Sequence, residues 1–159
     1  MKNYVITLSK VFPVTHKRAG EPTEFGHKFT AAVEGWSDHW LKLHTIRANC
    51  NLWSKRFDEI EAGMAVLSVR QWSGKPYCSR QELLKVLTKD DGIGLQKLQF
   101  SADRDGNLSF NRFDIDGRYY DKETLARNDG LSLEDWMEWF RRYDLNEPLA
   151  VIQFTDFRY

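Results

Sequence analysis

The stretch Lys42-Leu43-His44-Thr45-Ile46-Arg47 decides how the rest of the chain is read. It follows a Trp-rich approach, Gly35-Trp36-Ser37-Asp38-His39-Trp40, and leads into Ala48-Asn49-Cys50-Asn51, where a helix should begin. Leu43 to Arg47 has a Thr, an Ile and neither Pro nor Gly, which predicts a short strand. A lysine, a threonine and an arginine therefore meet at one strand-to-helix junction. Lysine offers a point charge or, when desolvated, a base. Threonine offers a hydroxyl nucleophile. Arginine offers a planar fork for phosphate, carboxylate or carbonyl. The plain alternative is a threonine serving β-propensity and a lysine solvated at a strand edge. Alternation along a strand puts Thr45 and Arg47 on one face and Lys42 on the other. Lys42 and Thr45 converge only if the strand starts after Lys42 or a bulge re-aims one of them.

Outward from this stretch, 159 residues suit one domain with a real core. Ten Phe, six Tyr and six Trp argue for a folded globule. The 23 basic and 23 acidic side chains cancel, so bulk electrostatic grip on nucleic acid is disfavoured, leaving a local patch or a small nucleoside ligand. Cys50 and Cys78 are far apart, which argues against a four-ligand zinc site and favours free thiols in a reducing compartment. His16, His27, His39 and His44 show no metal-ligand spacing, so no metal is expected. No cofactor is expected. No run is long enough for a membrane span and the N-terminus lacks a signal-peptide core, so the expected location is cytoplasmic, without membrane contact.

In chain order, strands are expected at Tyr4 to Ser9, Ala65 to Trp72, Tyr77 to Leu87, Ile93 to Phe100, Leu108 to Ile115 and Leu149 to Phe154. Ser73-Gly74-Lys75-Pro76 is turn chemistry for a hairpin. Helices are expected at Phe25 to Val33, Leu52 to Ala62, Asp121 to Arg127 and, behind a Ser132 N-cap, to about Tyr143. His16-Lys17-Arg18 falls in an irregular segment and is expected to be a solvated basic cluster. Asp103-Arg104-Asp105-Gly106-Asn107 resembles a calcium loop, but its twelfth position is Asp114 and its flanks read as strands, so a hairpin turn is favoured. Short strands, few helices and tight turns predict an α+β fold. The expected form is a small closed or half-closed β-barrel of mixed and antiparallel strands, with helices at its openings.

Lys42 to Arg47 resembles the K-x-x-T-x-R signature of ASCH domains, members of the PUA-like barrel group. Asn128-Asp129-Gly130-Leu131-Ser132-Leu133-Glu134-Asp135-Trp136 is similar to that family's acidic-Gly, Ser and Trp pattern ahead of a helix. The order of elements agrees too, so the resemblance spans residues 1–159 as a single domain, with insertions around 10–35 and 101–120. It implies a cleft at one end of the barrel and a link to RNA or modified nucleosides. One bacterial branch hydrolyses N(4)-acetylcytidine with a lysine, a threonine and a glutamate. By motif these fall on Lys42, Thr45 and Asp129, the last a departure from glutamate by one methylene. Arg47, His44, Trp36, Trp40 and Trp72 form the candidate substrate-binding set, any one tryptophan being a core residue in the plain alternative. Two functions remain open. One is an amidohydrolase with Thr45 as nucleophile and Lys42 as base. The other is a non-catalytic binder of RNA, a nucleotide or a modified nucleoside, with Lys17, Arg18, Arg70, Lys75 and Arg80 as a basic patch.

Overall fold

A computed structural model describes residues 1–159. The fold is α+β. The strands are β1 (Lys2–Leu8), β2 (His44–Arg47), β3 (Ala65–Trp72), β4 (Gln81–Leu87), β5 (Gly94–Phe100), β6 (Phe113–Ile115), β7 (Arg118–Tyr119) and β8 (Leu149–Gln153). The helices are α1 (Phe25–Glu34), α2 (Cys50–Glu61), α3 (Lys122–Asn128) and α4 (Leu133–Phe140). No helix is long and apolar enough to cross a membrane.

The strands form two sheets, ordered β1-β3-β4 and β2-β8-β5-β6-β7. β1 runs parallel to β3, while every other pairing is antiparallel. The ladder does not close into a barrel. Between β1 and β2 no strand pairing forms; a side chain crosses instead, with Arg47 Nη2 donating to the Thr7 carbonyl at 2.9 Å. One cluster of 31 buried apolar residues, drawn from both sheets and all four helices, holds the halves together.

The helices start and stop for local reasons. Asn49 caps α2 in a left-handed conformation (φ 66°) without a side-chain hydrogen bond, a conformation asparagine tolerates. Ser132 caps α4 by accepting from Asp135 N–H. α4 ends at Phe140, short of the expected Tyr143.

Two segments differ from expectation. Leu108 to Ile115 is strand only over Phe113–Ile115, so the antiparallel β5–β6 hairpin has a long connection, 101–112, with Asp103 at a turn inside it. Asp103 Oδ1 accepts from the N–H groups of Asp105 and Asn107, closing the loop on itself. Phe110 anchors this loop on Trp136, with ring centroids 5.0 Å apart. Tyr77 to Arg80 is turn rather than strand, and β4 begins at Gln81.

Candidate functional site

β2 begins at His44, so Lys42 lies before the strand and escapes its alternation. Lys42 and Thr45 therefore both line one small cavity, together with Arg47 and Asp129. Its volume is about 50 Å³. Leu8, Phe25, Trp139 and Tyr143 supply much of the remaining wall.

Asp129 arrives from the far end of the sequence on a tightly specified turn. It closes α3, and Gly130 follows with φ 86°, a left-handed position that suits glycine. The Leu131 N–H bonds the Ala126 carbonyl and the Gly130 N–H bonds the Arg127 carbonyl, a Schellman motif. The Leu43 N–H docks on the Asn128 carbonyl at 2.8 Å, and Lys28 Nζ docks on the Gly130 carbonyl at 2.8 Å. The corner between α3 and α4 is thus fastened onto the approach to β2.

The centre is a buried ion pair. Lys42 Nζ donates to Asp129 Oδ1 at 2.8 Å and to the Asp129 carbonyl at 2.6 Å. It also lies 4.1 Å from the centre of the Phe25 ring. Lys42 is 2% exposed. Burial pulls its pKa below the usual lysine value; Asp129 opposes this, and the Arg47 charge adds to it. Burial alone would raise Asp129, but the Lys42 charge and the neighbouring His44 outweigh it and hold the carboxyl below its usual value. Asp129 Oδ2 also accepts from Trp136 Nε1 at 3.1 Å.

Thr45 lines the cavity, and its Oγ1 makes no side-chain hydrogen bond within the protein; Lys42 Nζ donates to Asp129 instead. Arg47 spends Nη2 on the Thr7 carbonyl, while its buried Nε–H has no partner. The cavity is thus lined by the Thr45 hydroxyl, by an arginine whose buried Nε–H is unpaired, and by a desolvated lysine. These suit a carbonyl or a small anion.

The other candidate residues lie elsewhere. His44 is buried behind the pair: Nε2 meets the Tyr159 hydroxyl at 2.7 Å, and Nδ1 lies 3.7 Å from Asp129 Oδ1 without a bond. It does not line the cavity, so its direct contact with substrate is replaced by support from the rear. Trp40 packs under Lys28 and Arg127 and donates its indole N–H to the Arg127 carbonyl. Trp36 stands in an exposed cluster with His27 and His39. Neither tryptophan lines the cavity, because the 36–40 approach folds outward before the chain turns in at Lys42. Trp72 lines a neighbouring groove instead.

The His16-Lys17-Arg18 cluster is not a free basic patch. His16 is buried; its Nδ1 accepts from Arg18 N–H, which leaves Nε2–H to donate to the Asp135 carbonyl. Arg18 pairs with Asp135 at 2.6 Å and Lys17 pairs with Glu134, so the segment is clamped to the start of α4.

Sequence reasoning missed Ser9, Phe25, Trp139, Tyr143 and Tyr159. Of these, Trp139 and Tyr143 had a visible signal, a four-residue spacing along and just past α4. Tyr159 had none. Both cysteines are free, Cys50 buried and Cys78 exposed. No group of three or more His, Cys, Asp or Glu is placed to hold a metal ion. Comparison with protein-family models, curated proteins and solved structures returned no match to this chain.

Proposed function

We propose that the cavity is the reaction site of an amidohydrolase that removes a small acyl group from the exocyclic amine of a pyrimidine nucleoside, with N(4)-acetylcytidine as the type substrate. The observation that carries this is the convergence of Lys42 and Asp129, separated by 87 residues, beside Thr45 and Arg47 in one buried cavity. The two segments that meet there are the two that resemble ASCH domains. In this proposal the chain is an ASCH-like protein, and its pair of sheets is a half-open version of the PUA-like barrel.

The chemistry follows from the parts. Thr45 Oγ1 attacks the acyl carbon and its proton passes to neutral Lys42 Nζ. Desolvation favours that neutral form. The Arg47 Nε–H stabilises the oxyanion that forms on the acyl oxygen. The C–N bond then breaks, and Lys42 returns the proton to the departing amine. A water deprotonated by Lys42 attacks the Thr45 ester, releasing the carboxylate and restoring the hydroxyl. Asp129 is a positioning residue that aims Lys42. The shorter aspartate suffices because its own backbone carbonyl meets Nζ as well as its carboxylate.

The test is turnover of N(4)-acetylcytidine by the purified protein, followed by the absorbance change on deacetylation, with Thr45→Ala as control. The expected result is turnover that Thr45→Ala lowers by at least about a hundredfold while the folded signal is kept. Full activity in that variant would remove Thr45 as nucleophile. A folded protein that binds the nucleoside saturably without turnover would make the cavity a reader of modified nucleotides.

A further inference from the structure

The cavity is too small for a nucleoside. Its volume of about 50 Å³ is roughly that of two waters, enough for a group of two or three heavy atoms. Beside it lies a groove of about 480 Å³, lined by Thr7, Arg47, Trp53, Trp72, Tyr77 and Gln81 among others. A volume in this range is typical of small-molecule sites. The two hollows share Ser9 and Arg47 as lining residues, so they are neighbouring chambers with the arginine at their junction.

The groove carries the features of an aromatic subsite. Trp72, at the end of β3, faces Tyr77 with ring centroids 5.2 Å apart and planes at 50°. Tyr77 is 89% exposed, and its backbone is left-handed (φ 63°), a rare and costly state for a bulky residue. The hairpin therefore holds a large apolar ring out over the groove although solvent exposure and backbone strain both oppose it. Polar groups line the same groove: Gln81 Nε2 donates to Thr7 Oγ1 and Gln81 Oε1 accepts from Arg70 Nη1, both at a long 3.4 Å, so these bonds yield readily to a ligand.

We propose that the two chambers divide one substrate. The deep cavity takes a short acyl group, and the groove takes the planar nucleobase with its ribose, stacked against the Trp72–Tyr77 aromatic pair. The scissile C–N bond then lies at Arg47, between the halves. This rests on the amidohydrolase proposal above, and it sets specificity on both sides of the bond. The cavity limits acyl length through its small volume, about 50 Å³ beside the side chains of Phe25, Leu8 and Trp139. The groove selects a flat leaving group through stacking.

Three measurements test it with the intact chain. Replacing Trp72 by Ala is expected to raise KM for N(4)-acetylcytidine about tenfold with kcat little changed, the effect of a lost stacking platform. Extending the acyl group from acetyl to butyryl is expected to lower kcat/KM by at least about a hundredfold. Cytidine, the leaving half alone, is expected to bind the Thr45→Ala protein saturably by calorimetry, and to lose that binding when Trp72→Ala is added. Turnover that Trp72→Ala leaves at its original KM, or that is indifferent to acyl length, would overturn the division while the hydrolase proposal stands. Cytidine binding that depends on Trp72, with no acyl substrate hydrolysed, would sink the hydrolase proposal and keep the base subsite. Neither binding nor turnover would overturn both.

Discussion

At the residue scale the central fact is a lysine and an aspartate removed almost entirely from water, with side chains 2% and 4% exposed. Such a pair is a poor device for stability, because desolvation consumes most of the Coulombic gain. Breaking it is worse, since the survivor is left as an uncompensated buried charge. Lys42→Met and Asp129→Leu are each expected to cost about 3–5 kcal/mol in urea unfolding, and the double variant well under the sum of the two. Strict additivity would mean that the two groups do not depend on each other, contrary to their 2.8 Å contact. A pair kept at this cost fits a site where the lysine must be dry and aimed. Thr45 is 5% exposed and lines the cavity, and its hydroxyl is not among the sealed-off orphaned polar atoms, so a ligand in the cavity can reach it.

At the scale of elements, the site depends on the corner between α3 and α4. Gly130 is left-handed, and a methyl there would lie 3.4 Å from both Lys42 Cβ and the Phe25 ring. Gly130→Ala is therefore expected to destabilise by about 1–2 kcal/mol through backbone strain alone. It is also expected to lower turnover, because the same turn aims Asp129 at Lys42; stability and turnover measured on one preparation check both. An unchanged unfolding midpoint would show that the corner can rotate without cost. This corner was partly legible in the sequence. Asn128-Asp129-Gly130 reads as a helix stop and Ser132 as a cap, and both are what the structure shows. Local chemistry could not reveal that the corner docks on Leu43 and Lys42, since a contact across 87 residues leaves no period or spacing. Only the resemblance to a two-block family joined the two segments. The tryptophans show the opposite case. Trp36, Trp40 and Trp72 are chemically equal as stacking platforms, and only their placement separates a rim cluster, a cation-packed indole and a groove wall.

At the scale of the whole molecule, turn spacing and short strands made an α+β fold legible, but not whether the ladder closes. Closure would need both seams between the two sheets to pair, and neither does; the Arg47 side chain crosses the one between β1 and β2. That seam is where the cavity and the groove meet, so one of the two openings and the candidate site coincide. Global stability should report on the site through His44. That ring is fully buried against the Tyr159 hydroxyl, and burial lowers its pKa from the usual 6.5, with Lys42 adding to the effect and Asp129 opposing it. Its folded pKa is then below its unfolded one, so between the two values the unfolded chain binds more protons. The stabilisation is complete above pH 6.5 and is lost as pH falls from there through the lowered folded value. One proton limits the slope to about 1.4 kcal/mol per pH unit. Asp129 contributes with the same sign but only below the ordinary carboxylate range, because its own folded pKa is depressed. Lys42, whose folded pKa is lowered too, contributes with the same sign, so the histidine's share is the difference between wild type and His44→Gln. Urea unfolding at intervals from pH 7.5 to 5 should show stability declining with acid in the wild type and more shallowly in His44→Gln. An equal decline in both would place the proton uptake on another group and remove His44 from the support of the Lys42–Asp129 pair.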